Sequence, residues 1–423
     1  MRKKLFLTGA FVCLLITKLV LAQTGAIDSV PSTFASTDSG AAATETSVTT
    51  LSSGELATKL ADAKKLLQAR ATVDSVSIAL AALDPRADQI HVLTLAKEAF
   101  LTKGAEFSLT TNLGKEVRLR IIRPNGVNTA VTIKDVSGHS LLPMLVQYPI
   151  VRDGSWTENA YYTSAHPSLV SDAVVTEGQR YLATMFGQAV AELQASGVAI
   201  PADIIEVAKH LVIVEHTDHK RFKEEDRGEI YPEVLALYAL NQGNTFRYSV
   251  SSAGAGGMIQ MIPKTYAAIR ENHSNVRLES DFVNGMQNHA NALKAMLLYI
   301  NDTWNYLDRS ESVQQALRSG VATKTELLAA GYNSNPYRLP DYLASGSAWK
   351  DRIPAETQMY LAIYQSVDSH VDFQQGETIP TSDVDLSTVV PTNSFTRAAT
   401  SAMMSWISRQ VVQSGAAALS LLR

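Results

Sequence analysis

The first apolar pattern after the amino-terminal region predicts helices. Apolar residues recur at helical spacing over residues 56–67, where Leu56 and Leu60 are one turn apart. Two shorter helical patterns follow over residues 78–83 and 90–101. The start of the folded chain is therefore predicted to be helical.

The period then changes from helical to alternating. Apolar and polar residues alternate over residues 117–122 and again over residues 129–134, as they do in half-buried strands. A Pro-Asn-Gly tripeptide at 124–126 separates the two runs and predicts a hairpin. Residues 55–195 are therefore predicted to form a mixed α+β domain. A scaffold role is the plain expectation for this domain, with glycan or protein binding as the alternatives.

From Pro201 to about residue 366 the pattern is helical throughout. Pro201 suits the start of a helix predicted over residues 204–215, and a further helix is predicted over residues 288–299. We therefore predict an α+β protein, in which a smaller mixed α/β domain precedes a mainly α domain over residues 196–372.

Both ends of the chain predict segments outside these domains. Residues 23–54 and 373–394 are rich in small and polar residues and are predicted to be linkers. Residues 395–423 carry apolar residues at helical spacing and predict a carboxy-terminal helix. Packing of this helix on its own domain is the plain expectation, and packing on a partner or a membrane surface is the alternative.

Residues 1–22 have the organisation of a secretory signal peptide. Basic residues at 2–4 precede an apolar run over residues 5–21, and Ala22 is a small residue at the expected cleavage point. Lys18 interrupts the run, which disfavours a stable membrane span. The single cysteine lies in this segment, so the mature chain would contain no thiol. We expect an exported protein. The net charge of −4 over 423 residues gives no reason to expect a nucleic-acid partner.

Glu215 is the candidate acid of the helical domain. It follows Leu211 by four residues and so continues the apolar stripe of the predicted helix. Burial and the negative end of the helix dipole both disfavour the carboxylate, so both are expected to raise the pKa of Glu215. A carboxyl that stays protonated near neutral pH suits general acid catalysis. The alternative is a structural ion pair with His219, Lys220 or Arg221.

Residues 249–266, which read SVSSAGAGGMIQMIPKTY, join a glycine-rich turn to a short apolar run. Glycines permit positive φ angles and close backbone approach, and serines suit turns and helix N-caps. The plain interpretation is a tight turn that leads into a short buried helix.

This stretch also resembles a segment of the lytic transglycosylases of the soluble-lysozyme-like superfamily. In these enzymes a Ser-x-x-Gly-Ala-x-Gly run followed by paired hydrophobic residues, Gln and Pro lines the peptidoglycan cleft. The resemblance implies a lysozyme-like fold for residues 196–372. It also implies substrate binding by Ser251, Gly254, Ala255, Met258 and Gln260.

Two later segments resemble the same family. Residues 330–336, AGYNSNP, are similar to its Ala-Tyr-Asn-Ala-Gly segment, although the family's Gly after Asn is absent here. The resemblance implies that Tyr332 approaches the catalytic acid and that Asn333 contacts the sugar. Residues 353–360 resemble the Pro-x-Glu-Thr-x-x-Tyr segment, in which Glu356 and Thr357 begin the final helix.

One position departs from the family pattern. The family's usual catalytic Glu lies twelve residues before the Gly of Gly-Ala, and this chain has Gln242 there. Gln cannot donate a proton to a leaving oxygen. Two explanations compete: the domain is an inactive binder, or the acid is Glu215 with residues 219–240 inserted after it. We prefer the second explanation, because a long apolar stripe ends in an acid at Glu215 and the remaining cleft segments are present.

The resemblance implies a peptidoglycan lytic transglycosylase that cleaves between N-acetylmuramic acid and N-acetylglucosamine with one acid/base and leaves a 1,6-anhydro end. Its expected partner is the peptidoglycan glycan strand, with a cell-envelope protein as a second candidate and no nucleic acid. The expected location is the periplasm or cell envelope. His216 and His219 lack a metal-binding framework, so we expect no metal and no cofactor. The alternatives are an inactive peptidoglycan-binding module of the same fold and a true hydrolase.

Overall fold

The computed structural model describes residues 51–70, 74–152 and 154–373, in which an antiparallel sheet is followed by a helical region. At this level the predicted α+β class is confirmed. The predicted signal peptide (1–22), most of both predicted linkers (23–54 and 373–394) and the predicted carboxy-terminal helix (395–423) lie outside the described residues. None of the helices in the described ranges combines the length and apolar character that a membrane span requires.

The sheet of the described chain has seven antiparallel strands. These are β1 (Ser77–Asp84), β2 (Gln89–Ala96), β3 (Glu106–Thr110), β4 (Glu116–Arg123), β5 (Ala130–Asp135), β6 (Ser140–Arg152) and β7 (Ser155–Tyr162). Their order is β2-β1-β6-β5-β4-β3, and β7 pairs with β6. The N–H of Asn112, just after β3, donates to the Val92 carbonyl of β2 over 3.0 Å, and the Asn112 side-chain oxygen accepts from the Val92 N–H over 2.6 Å. These bonds join the two ends of the path, so the sheet curls back on itself.

The predicted strands over residues 117–122 and 129–134 are confirmed as β4 and β5, which pair as a hairpin. The helices predicted over residues 78–83 and 90–101 are wrong, because these residues form β1 and β2 with only a short turn of helix at their end. In β1, Ile78 and Leu80 pack inside the curled sheet and Ala81 and Leu83 pack on its other face. Burial of both faces replaces alternation with a continuous apolar run, which does not distinguish a strand from a helix.

Helices dominate the rest of the described chain. They are α1 (Ser53–Gln68), α2 (Lys97–Phe100), α3 (Asp172–Ala195), α4 (Ala202–Val214), α5 (His219–Glu224), α6 (Arg227–Asn241), α7 (Pro263–Asn272), α8 (Phe282–Gln287), α9 (His289–Leu307), α10 (Glu311–Arg318), α11 (Lys324–Asn333), α12 (Leu339–Leu343), α13 (Trp349–Arg352) and α14 (Ala355–His370). The helices predicted over residues 56–67, 204–215 and 288–299 are confirmed as α1, α4 and α9. A capping box of Ser52 and Glu55 begins α1.

Helix α6 packs on the sheet and on the other helices at once. Leu237 belongs to the core inside the sheet, whereas Ala236 and Leu240 pack on the outer sheet face with α1. On its other side α6 meets α3 at Gly178, where a Cβ would lie 2.0 Å from the Leu235 carbonyl oxygen. Residues 219–240, expected as an insertion, therefore join the sheet to the helical core.

The carboxy-terminal end of α6 is tied to the end of the sheet by Asn241. Its side-chain oxygen accepts from the N–H of Thr163 and its NH2 group donates to the carbonyl of Thr163, both over 2.8 Å. Asn241 is 3% exposed, so both bonds are shielded from water. The side chain thus pairs with the backbone beyond β7 as a neighbouring strand would.

Replacing Asn241 by Ala is expected to lower the free energy of unfolding by roughly 1–3 kcal/mol, because it leaves the buried N–H and carbonyl groups of Thr163 without these hydrogen-bond partners. Urea unfolding followed by circular dichroism measures this change. The matched control is Asn305→Ala on the exposed side of α9, expected to change stability by no more than about 0.5 kcal/mol. Equal effects of the two substitutions would contradict the role given to Asn241.

Candidate active site

Glu215 lies at the carboxy-terminal end of α4, where its N–H donates to the Leu211 carbonyl over 2.9 Å. The preceding residues of α4, from Val207 to Val214, are all buried. The helix therefore delivers the half-buried Glu215 side chain to the edge of the helical core. There the Tyr360 hydroxyl of α14 donates to Glu215 Oε1 over 2.6 Å.

Burial raises the pKa of Glu215 to about 8. The Tyr360 hydrogen bond opposes this effect, since it favours the ionised carboxylate, and the nearby charge of Glu356 adds to it. Burial dominates, so the carboxyl is protonated at neutral pH. The raised pKa agrees in direction with the expectation from sequence, although contact with Tyr360 replaces the alternative ion pairs with His219, Lys220 or Arg221.

The glycine-rich stretch folds into a compact loop in front of α7. The Ser251 hydroxyl accepts from the N–H groups of Ala253 and Ala255 over 3.3 and 3.1 Å, which closes a turn in which Gly254 has a φ of +77°. Gly256 donates to the Met261 carbonyl over 3.0 Å, so the loop doubles back on itself. The buried helix expected after the turn is a single 3-10 turn, Gly257–Ile259, followed by α7.

Gly257 lies where this loop closely approaches α8. Its φ is +70°, and a Cβ at this position would lie 2.4 Å from the Met286 carbonyl oxygen of α8. Its N–H donates to the Ser249 carbonyl over 3.0 Å. Both the backbone conformation and the available space therefore require glycine.

His216 links the end of α4 to the glycine-rich loop. Its Nε2–H donates to the Met258 carbonyl over 3.1 Å, and its ring stacks on Phe246 with centroids 3.4 Å apart and planes within 2°. Burial lowers the pKa of His216 to about 3, so the ring is neutral and remains a donor at ordinary pH. This hydrogen bond holds the glycine-rich loop at the end of α4, where Glu215 immediately precedes His216.

Tyr332 and Asn333 lie at the end of α11, which packs against α4 and α14. Burial raises the pKa of Tyr332, and the charge of Glu215 adds to the rise. The Tyr332 hydroxyl donates not to Glu215 but to the Ile259 carbonyl of the loop, over 2.7 Å. Asn333 Oδ1 accepts from the buried Thr357 hydroxyl over 2.9 Å, which fixes the amide.

The residues predicted to bind substrate occupy different environments. Ser251 is exposed and Gly254 is half-buried, whereas Ala255 is buried and the Met258 side chain is fully buried in the helical core. Met258 therefore contributes its carbonyl to the site and not its side chain. Gln260 adopts a left-handed conformation with φ +45°, and its NH2 group donates to Gly257 O and Ser249 Oγ. Gln260 thus holds the loop closed.

Gln242, at the position of the family's usual Glu, lies at the end of α6 beside Asn241. That helix end is fixed to the sheet through Thr163, whereas Glu215 is the carboxyl that meets Tyr360. Of these two residues, Glu215 is therefore the one that brings a carboxyl into contact with Tyr360.

Two residues of the site went unassigned at the sequence level. Tyr360 is the last residue of the Pro-x-Glu-Thr-x-x-Tyr segment, and the match to that segment is the signal that identifies it. Its contact with Glu215, 145 positions away, follows from no spacing rule. His216 follows Glu215 directly, and its position in the sequence does not predict the contact with Met258. Within the described ranges no group of three or more His, Cys, Asp or Glu side chains is placed to hold a metal ion.

Comparison of the chain with models of protein families, with curated proteins and with solved structures finds no match. The interpretation of the site therefore rests on its own geometry and on the segments quoted above.

Replacing Gly257 by Ala is expected to destabilise the protein more than the same change at Gly320. Both residues have a φ of +70°, but a Cβ at Gly320 meets nothing within 4 Å. The left-handed conformation costs about 1–2 kcal/mol at either position, and the clash with Met286 adds about 1–3 kcal/mol at Gly257 alone. Chemical denaturation of the two variants measures the difference. Equal losses of stability in the two variants would show that the loop accommodates the added Cβ without strain, and would contradict the close contact described for Gly257.

Proposed function

We propose that this protein is a peptidoglycan lytic transglycosylase whose general acid is Glu215. The observation that carries the proposal is the hydrogen bond from the Tyr360 hydroxyl to Glu215 Oε1, at a position where burial raises the pKa of Glu215 to about 8. Its support from sequence is the resemblance of three ordered segments. Tyr360 of one segment bonds to Glu215, and Tyr332 of another bonds to the glycine-rich loop that His216 also contacts. The helical region is proposed to be a lysozyme-like domain on the same grounds.

In the first step Glu215 protonates the bridging oxygen between N-acetylmuramic acid and N-acetylglucosamine. The bond from the muramic C1 to that oxygen breaks, and the N-acetylglucosamine leaves with the proton. Because Tyr360 occupies Oε1, the other carboxyl oxygen is the one suited to deliver the proton. The Tyr360 bond also stabilises the carboxylate that remains, since it donates to the ionised form.

In the second step the Glu215 carboxylate takes the proton of the muramic 6-hydroxyl while that oxygen bonds to C1. The product carries a 1,6-anhydro ring, and Glu215 returns to its protonated form. The substrate's own N-acetyl group stabilises the positive centre between the two steps. One carboxyl therefore serves as acid and base, and the scheme needs no second carboxylate, in contrast to the usual two-carboxylate hydrolysis.

The remaining site residues supply contacts to the sugar. Thr357 occupies Oδ1 of Asn333, so the Asn333 NH2 group is the donor available for a sugar oxygen. Ser251 is exposed at the turn of the loop, where it can meet the glycan. We further propose that the protein is exported and acts in the periplasm or cell envelope.

Glu215→Gln is expected to lower the cleavage of purified sacculi at least about 100-fold, since it removes the proton donor and keeps the shape. Mass spectrometry of the soluble products measures this change, with anhydro-muropeptides expected from the unsubstituted protein only. Glu229→Gln, an exposed position on α6, is the matched control and is expected to cleave normally.

Three outcomes would contradict the proposal. Undiminished cleavage by Glu215→Gln would exclude this acid. Products with a reducing end and no anhydro ring would indicate a hydrolase. Absence of products from the unsubstituted protein, together with its sedimentation on sacculi, would indicate a binding module.

The pH dependence of cleavage is expected to respond in opposite directions to two substitutions. Activity requires protonated Glu215, so it should fall as the pH rises through about 8. Glu356→Gln removes a repelling charge and lowers the pKa of Glu215, which moves the fall to lower pH. Tyr360→Phe removes the bond that favours the carboxylate, which moves the fall to higher pH and slows turnover.

Initial rates over a pH series measure both shifts. Glu311→Gln, in the exposed first turn of α10, is the control and should leave the profile unchanged. Shifts of the same sign in the Glu356 and Tyr360 variants would contradict the assignment of the high-pH limb to Glu215.

A further inference from the structure

Tyr337, four residues after the proposed sugar-binding Asn333, forms an exposed pair with Tyr306. Tyr337 is 57% exposed and Tyr306 is 39% exposed, and their ring centroids are 4.5 Å apart with planes at 71°. Among the described residues, Trp156 is the other aromatic side chain with comparable exposure. The two tyrosines therefore form a surface aromatic cluster that burial in the core does not explain.

One face of α9 supports both this pair and the candidate active site. Tyr299, Thr303 and Tyr306 recur at intervals of four and three residues, so they lie along one side of the helix. Tyr299 packs edge-to-face on Tyr332, with centroids 5.7 Å apart, and its hydroxyl donates to the Gly331 carbonyl over 3.3 Å. Tyr306, two turns or roughly 10 Å further on, packs against Tyr337 in the same manner.

The segment that follows α11 lies along this face. A Cβ at Gly331 would lie 3.1 Å from Thr303 and 3.3 Å from Pro336, so the three residues are in close contact. Asn335 then accepts from the Tyr337 N–H over 3.0 Å, which fixes the turn Pro336–Arg338. The packing that positions Tyr332 and Asn333 therefore also holds Tyr337 in place.

We propose that Tyr306 and Tyr337 form an outer subsite of the candidate active site, which stacks a pyranose ring of the glycan strand several sugars from the cleaved bond. The aromatic ring face is electron-rich and apolar, and it complements the C–H face of a sugar, while the tyrosine hydroxyls suit its polar rim. The turn that carries Tyr337 follows the Tyr332–Asn333 segment and packs on the same helix, α9. This continuity favours the glycan, and not an unrelated partner, as the ligand of the tyrosine pair. This inference rests on the function proposed above.

The test is binding, measured in the Glu215→Gln background so that no strand is cut. Uncross-linked peptidoglycan glycan strands, fractionated by length from tetrasaccharides upward, are titrated calorimetrically against the full chain. Addition of Tyr337→Ala is expected to weaken binding of long strands roughly two- to tenfold and to leave tetrasaccharide binding unchanged. Tyr337→Phe should retain the affinity, since it keeps the ring. Trp156→Ala, an exposed aromatic on the sheet, is the matched control and should bind as the parent does.

Equal affinities of the Tyr337→Ala and Trp156→Ala variants would overturn the inference, as would an equal loss for short and long strands. Self-association that Tyr337→Ala abolishes would identify the pair as a contact between copies of the chain and would also overturn it. If the Glu215→Gln parent binds no glycan of any length, the proposed function fails together with this inference. If the unsubstituted protein cleaves sacculi normally and Tyr337→Ala leaves the binding of long strands unchanged, only the inference of an outer subsite fails.

Discussion

The candidate site depends on the desolvation of one carboxyl group, that of Glu215. Helix α4 is buried throughout its last two turns and ends in the apolar run Leu211–Val214, so the residue at its end cannot extend fully into solvent. Ionisation there loses hydration that the protein does not replace, and this loss outweighs the stabilising bond from Tyr360. The same bond gives the carboxyl a fixed orientation. A protonated and oriented acid therefore follows from the packing of α4 and α14.

The sheet contributes to this arrangement through α6 and the residues that follow it. Asn241 ties the end of α6 to the sheet, and the chain then reaches Phe246, which supports the His216 ring from one side. The Thr245 carbonyl accepts from Nε2 of the buried His289, and this bond fixes the same segment on α9. His216 in turn holds the glycine-rich loop through Met258. The sheet and the active-site loop thus share one continuous set of contacts.

Sequence periodicity located the parts of the site that belong to single helices. The stripe of α4 predicted that Glu215 would be buried, because four residues make about one turn whatever the surrounding fold. Periodicity failed for β1, where burial of both faces removes the alternation on which a strand prediction depends. It also could not reveal that Tyr360 meets Glu215 or that Tyr332 bonds to Ile259, since both contacts depend on how distant helices pack. Met258 was expected at the sugar, but its side chain completes the core while its carbonyl holds His216.

Titration of the Glu215 carboxyl carbon would show whether this residue remains protonated at neutral pH, on which its proposed role as the acid depends. The protein is labelled with 13C at the glutamate side-chain carboxyl, and the Glu215→Gln variant identifies the resonance that belongs to this residue. This resonance is expected to titrate with a pKa of about 8. A midpoint near 4.5, the ordinary pKa of a glutamate side chain, would show that Glu215 is ionised at neutral pH and would contradict its assignment as the general acid.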